Sequence, residues 1–224
     1  PRFALGLAQF VLASRQAGRE VVIVSSGAVA AGRAVLPRAG GGAPTIAAKQ
    51  ALAALGQAQL IGLWQRFFEA PVAQVLLTHE DLRDRRRYLN ARSALLELLR
   101  LGAVPVVNEN DTVAVDELKL GDNDNLAAAV ASLVDAELLL IATDIAGLYS
   151  GHPGQDPDAQ PVARVETITP AVLAMAGDAG ALGTGGMRTK LEATAKAATA
   201  GISTALFSGR DATTVAALGQ GRLH

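Results

Sequence analysis

Residues Gly183-Thr184-Gly185-Gly186-Met187-Arg188-Thr189-Lys190 form a glycine-rich turn that runs into an alanine-rich stretch of helical composition. Such a turn, opening a helix with a lysine in its first turns, is suited to holding phosphate. Bare glycines let backbone N–H groups approach a ligand. The helix N-terminus adds unpaired donors and partial positive charge. The spacing fits neither common phosphate motif. A P-loop needs Gly directly before Lys and Ser or Thr directly after it, whereas here Thr189 precedes Lys190 and Leu191 follows. A dinucleotide fingerprint needs glycine where Arg188 stands.

Other polar clusters follow short apolar runs. Ser25-Ser26-Gly27, Asn108-Glu109-Asn110-Asp111 and Thr143-Asp144 each sit where a strand would end. Any one of them could merely cap a helix or make a turn. Together with the glycine turn they point to a ligand crevice at the carboxyl ends of parallel strands. Gly121-Asp122-Asn123-Asp124-Asn125 places four Asp or Asn residues in succession, more than one helix cap requires. Amides there can hold the polar groups of an amino acid. A carboxylate can orient a lysine or reach Mg²⁺ through water. Arg85, Arg86 and Arg87 read as a solvated face or a subunit contact.

The elements that must position these groups alternate along the chain. Helices are expected over Phe3 to Gln16, Ala47 to Phe68, Tyr88 to Leu101, Gly121 to Val134, Pro170 to Met175, Met187 to Ala200 and near Ala212. Strands are expected at Val21 to Val24, Val72 to Leu77, Val104 to Val107, Leu138 to Ala142 and Ala205 to Phe207. Small residues run from Ala28 to Gly32, and the glycine-rich Arg38 to Pro44 reads as a flexible loop. Val113 to Leu120 reads as a hairpin or edge strand, and Ile145 to Pro161 as irregular. Glu69-Ala70-Pro71 leaves a very tight helix-to-strand connection. Alternation of this kind implies an α/β fold, a largely parallel sheet between helices, in a single domain over residues 1–224.

Composition narrows the function classes. The chain has 224 residues, 50% of them hydrophobic and 4% aromatic, so its core is built from Ala, Val, Leu and Ile. A net charge of -1 gives no reason to expect a nucleic-acid or anionic-membrane partner. There is no cysteine, hence neither disulfides nor a thiolate metal site, and a cytoplasmic location is the simple expectation. No apolar run reaches the roughly 18 residues of a membrane span. His79, His152 and His224 are far apart, so no histidine metal site is expected.

The clusters named above, in this order and spacing, resemble the amino acid kinase family, and within it the members that phosphorylate glutamate. Gly147-Leu148-Tyr149, the stretch Lys49-Gln50 through Gly56-Gln57, and Tyr88-Leu89-Asn90-Ala91-Arg92 add to the resemblance, which covers nearly the whole chain. It implies a three-layer αβα sandwich and an ATP-dependent phosphorylation of the glutamate side-chain carboxylate, the first step of proline synthesis. By the resemblance, Ser26, Asp111 and Asn123 bind glutamate. Thr143, Asp144, Thr184, Gly185, Gly186, Met187, Arg188, Thr189 and Lys190 bind ATP. Lys190 also stabilises the transferring phosphoryl group, and Asp124 organises the catalytic lysines. Mg²⁺ is held mainly by the nucleotide. The resemblance further implies a homo-oligomer (dimer or tetramer) and feedback inhibition by proline.

Family members begin with a strand and a turn carrying a further lysine, and many end in a PUA domain. This sequence starts at the first helix and stops near Leu223-His224. The expectation is a kinase domain whose first strand lies upstream of Pro1. Two other readings stay open: a kinase for another carboxylate such as acetylglutamate, and a non-catalytic module that binds nucleotide or amino acid.

Overall fold

The computed structural model describes residues 2–36, 45–114, 123–145, 147–151, 156–176 and 186–219. In chain order the elements are α1 Arg2–Gln16, β1 Ile23–Val24, α2 Ala28–Val35, α3 Ile46–Gln65, β2 Val72–Leu77, α4 His79–Arg83 and α5 Arg85–Arg100. There follow β3 Val104–Glu109, α6 Asn123–Leu133, β4 Leu138–Thr143, α7 Pro170–Ala174, α8 Met187–Thr199, β5 Ser203–Ser208 and α9 Ala212–Gly219. The chain divides into two units, one of Gly18–Asn123 and one of Pro1–Ala17 with Asp124–His224.

The Gly18–Asn123 unit holds a three-stranded parallel sheet in the order β1-β3-β2. β3 is the centre, and its continuous apolar run is buried along its whole length, as a strand covered on both faces should be. It carries Pro105, which cannot donate to a ladder. The N–H groups of Val104 and Asn110 bond toward the β2 side, to Pro71 O and Leu77 O. By alternation, position 105 faces the β1 side. There the ladder starts only at Ile23 opposite Val106, so no bond is forfeited.

Two helices in this unit are ones the sequence reading does not assign. The small residues after Gly27 form α2, and their smallness is what packs α2 on α3. A Cβ on Gly32 would lie 1.9 Å from the Leu52 carbonyl oxygen, and one on Gly56 would lie 1.7 Å from the Ala28 carbonyl oxygen. The short α4 carries a capping box between Thr78 and Asp81. The abrupt α3-to-β2 connection is held by one side chain. Gln65 donates to the carbonyls of Phe68 and Ala70 and accepts from Val72 N–H, at 3.0, 3.2 and 2.9 Å.

The other unit is an αβα sandwich around parallel β4 and β5, in register from Leu138 opposite Ser203 to Thr143 opposite Ser208. Alternation sends residues to both faces. Leu139, Ile141 and Leu206 pack with Ala128 and Ala131 of α6 and Ala193 and Ala197 of α8. Leu140 and Phe207 pack on the other face with Leu7 and Phe10 of α1 and Val215 and Leu218 of α9. The irregular stretch after β4 contains an isolated bridge between Tyr149 and Pro161. No described helix is long and apolar enough to cross a membrane. The loop expected at Arg38 to Pro44, most of the hairpin expected at Val113 to Leu120, and Gly121 and Asp122 lie largely or wholly outside the described residues.

Candidate functional site

In the Gly18–Asn123 unit, the strands end in the polar clusters the sequence singled out. Asn123 gathers two of them. Its Nδ2 donates to the Ser25 carbonyl at 3.1 Å and to Asn108 Oδ1 at 3.0 Å. Its Oδ1 is buried and has no hydrogen-bond partner among the described residues. A buried acceptor left open costs about 1–3 kcal/mol, which a ligand N–H or a water would recover. Ser25 is fixed in turn by its N–H bond to Val107 O and by Trp64 Nε1, which donates to Ser25 Oγ at 3.3 Å. Gly27 then turns the chain with φ 102° and starts α2, whose N-terminus has no side-chain cap. Ser26, between them, is exposed.

Asp111 lies beyond the end of β3, lining a cavity of about 310 Å³ with Gln57, Gln74, Glu109, Asn110 and Thr112. Burial, and then the neighbouring Glu109 carboxylate, pushes Asp111 up to about 6 from its ordinary 3.8. Two carboxylates in a partly dry wall favour a cationic guest, because the charge of an ammonium group would offset both the burial of Asp111 and its repulsion by Glu109. Gln57 is buried, and neither amide atom is hydrogen-bonded among the described residues. Neither Ser26 nor Asn123 is among the residues lining this cavity.

In the other unit, α6 and α8 each precede a strand and run back along it. Their N-termini therefore lie at the end where β4 and β5 finish, the end used by ligands in open α/β sheets. Gly186 is the N-cap of α8 and offers no side-chain cap, so the first backbone donors of the helix are not met that way. Lys190, in the first turns, is 8% exposed. Its Nζ sits 2.9 Å from Asp124 Oδ2, in the first turn of α6. Thr189 Oγ1 is 2.9 Å from the same carboxylate oxygen and 2.8 Å from Gly186 O. Its single proton can serve one of them at a time. Asp124 thus holds the cation and the turn together.

The remaining expected nucleotide residues are placed as follows. Thr143 is buried at the end of β4, and its hydroxyl is 3.3 Å from Asp144 Oδ1, with Asp144 exposed. Met187 is partly buried. Arg188 is exposed and pairs with Glu192 at 3.2 Å along α8. Thr184 and Gly185 lie outside the described residues. Of the three arginines, Arg87 pairs with Asp81 at 2.9 Å, and Arg85 and Arg86 are exposed.

Sequence reasoning did not single out Trp64, Gln74 or the individual role of Gln57. Gln57 falls in the stretch that carries the resemblance, so a signal existed. Trp64 is the only tryptophan of the sequence, which says nothing by itself about Ser25.

The sequence model of the amino acid kinase family matches residues 5–208. A glutamate 5-kinase of Xanthomonas euvesicatoria pv. vesicatoria (strain 85-10) is 72% identical over 225 residues, covering 100% of this chain and 62% of the relative. A glutamate 5-kinase of Xylella fastidiosa (strain 9a5c) is 68% identical over 225 residues, covering 100% of this chain and 59% of the relative. The chain thus spans about 60% of the length of these curated relatives. Among solved structures, a uridylate kinase from Archaeoglobus fulgidus superposes with a TM-score of 0.60 at 15% identity, over 99% of this chain and 90% of that one. At that identity the likeness is one of fold.

Proposed function

We propose that this chain, which belongs to the amino acid kinase family, carries the transfer of the ATP γ-phosphoryl group to the side-chain carboxylate of glutamate, giving glutamyl 5-phosphate. The observation that carries the reading is Lys190: a buried cation, aimed by Asp124, in the first turns of a helix whose N-terminus has no side-chain cap. The name shared by the curated relatives supports the acceptor. We read both units as parts of one kinase domain, because the family match runs across both.

The chemistry asks little of a base. A glutamate side chain, pKa about 4.3, is already ionised near neutral pH, so the nucleophile needs no deprotonation. Its oxygen bonds to the γ-phosphorus while the bond to the leaving ADP oxygen breaks. Catalysis then lies in positioning and in offsetting negative charge. In this reading Gly186, Met187, Arg188 and Thr189 bring backbone N–H groups to the phosphates, with Thr184 and Gly185 before them. Lys190 meets the γ-phosphoryl oxygens as charge builds on them. Thr143 and Asp144 hold the rest of the nucleotide. Mg²⁺ neutralises phosphate charge when bound. Among the described residues no group of three His, Cys, Asp or Glu is placed to hold a metal.

On the acceptor side, Asp111 and the open Oδ1 of Asn123 take the α-ammonium group, and Ser26 contributes its exposed hydroxyl. This favours glutamate over acetylglutamate, whose acylated nitrogen brings no positive charge to Asp111. The same groups would receive proline as an inhibitor, and a homo-oligomer is the assembly expected. The test is ADP release by the intact protein with glutamate, acetylglutamate and aspartate as acceptors. Glutamate alone should support turnover at millimolar concentration. Equal or faster turnover with acetylglutamate would overturn the acceptor assignment. Tight nucleotide or amino-acid binding without turnover on any acceptor would favour the binding module.

A further inference from the structure

Lys196 lies on α8 six residues beyond Lys190, about 9 Å along the helix at 1.5 Å per residue. Both side chains nevertheless meet the first turn of α6, on consecutive residues. Lys190 takes Asp124, and the Lys196 ammonium donates to Oδ1 of Asn125. Asn125 is 5% exposed, whereas Lys196 is itself exposed and reaches in to it from the surface of α8. On the same helix, Ala193 and Ala197 are fully buried and pack with Ala128 and Ala131 of α6. Small side chains there bring the two helices close, so both lysines reach across the contact.

Lys196 is unusual in what it holds. An exposed ammonium is well served by water and needs no protein partner, but the buried amide oxygen of Asn125 does need a donor. The Lys196 ammonium supplies one across the helix contact. What the bond provides is a fixed position for the residue next to Asp124.

We propose that Lys196 is a positioning residue. By holding Asn125 it fixes the first turn of α6, and so keeps the Asp124 carboxylate where Lys190 and Thr189 share it. This rests on the kinase reading for its consequence in turnover, but the geometry can be tested without turnover.

The test compares Lys196→Met, Lys196→Arg and the parent in the intact protein. Lysine acetylation by a small reagent, followed residue by residue by mass spectrometry, reports how firmly Lys190 is held. Lys190 should label at least fivefold faster in Lys196→Met, return toward the parent rate in Lys196→Arg, and do so with a Tm within a few degrees of the parent. In the kinetic arm, Lys196→Met should lower kcat about tenfold and leave KM for glutamate within twofold. Adding Asn125→Ala to Lys196→Met should change neither reading further. Unchanged Lys190 labelling in folded Lys196→Met overturns the proposal, whatever the kinetics. Faster labelling in a protein that turns over no acceptor sustains the tie and sinks the kinase reading instead. If Lys196→Met does not fold, Lys196→Gln, which still donates, takes its place. There a parent-like rate sustains the proposal, and an increase matching that of Lys196→Ala overturns it.

Discussion

Asp111→Asn should make the protein more stable at neutral pH and weaken its hold on glutamate. Asp111 sits partly buried beside Glu109, with a pKa pushed from 3.8 to about 6. As pH rises through the window from about 4 to about 6, the unfolded chain loses this proton before the folded one. The folded state then binds more protons than the unfolded, so stability falls with rising pH across that window. The cost is fully present above the folded pKa and absent below the unfolded one. A two-unit shift is worth about 3 kcal/mol at about 1.4 kcal/mol per unit. Asp111 keeps contact with solvent, which screens the penalty, and we take about 1 kcal/mol. Thermal unfolding from pH 3.5 to pH 7.5 should show Asp111→Asn gaining about 2–4 °C in Tm above pH 6 and nothing below pH 4. Substrate affinity should move the other way. An ammonium on Asp111 favours the ionised form, so the parent's KM for glutamate should rise about tenfold between pH 7 and pH 5. The variant's KM should be high and flat over that range. A Tm gain that does not depend on pH, or a glutamate KM with the same pH profile in both proteins, would refute the reasoning about Asp111.

Three other substitutions test separate parts of the account. Lys190→Met should lower kcat at least 100-fold while changing KM for glutamate less than threefold, since its charge is needed most as the phosphoryl group transfers; parallel losses in both constants would argue for simple binding. Gly56→Ala forces a Cβ to within 1.7 Å of the Ala28 carbonyl oxygen, and the helices must separate. It should cost about 3 kcal/mol and lower Tm by about 10 °C in a thermal melt, and a loss under about 2 °C would contradict the close α2–α3 packing. Gln65→Ala removes the three bonds that hold the α3-to-β2 turn and should cost about 1–2 kcal/mol by urea unfolding; no measurable change would show that the turn holds itself.

Much of this was legible in the chain because the signals are local. β2 spans the residues expected of it, and β3 and β4 extend their expected runs by a residue or two, because a strand covered on both faces is a continuous apolar run. α8 begins at Met187 as expected, since the glycine turn before it can start nothing else cheaply. α2 escapes the sequence pattern because its run of small residues is short and carries no apolar periodicity, although alanine favours helix. Its residues are small because the Leu52 and Ala28 carbonyls press against the glycines of the α2–α3 contact. β1 proved shorter than its apolar run because only Ile23 and Val24 pair with β3. The site was legible as residue types but not as partnerships. Nothing local ties Asn123 to Ser25, which is 98 residues away, or Lys196 to Asn125, which is 71 residues away. The tight Glu69-Ala70-Pro71 connection was visible, but its cause, one glutamine amide serving three backbone groups, needed coordinates.

The central claim is that an acyl phosphate forms on glutamate. The direct measurement is to incubate the intact protein with glutamate, MgATP and hydroxylamine and to quantify γ-glutamyl hydroxamate by mass spectrometry. The account predicts hydroxamate in step with ADP release, absent without glutamate, and reduced at least 100-fold by Lys190→Met. ADP release with no glutamyl hydroxamate, or hydroxamate undiminished by that substitution, would contradict it.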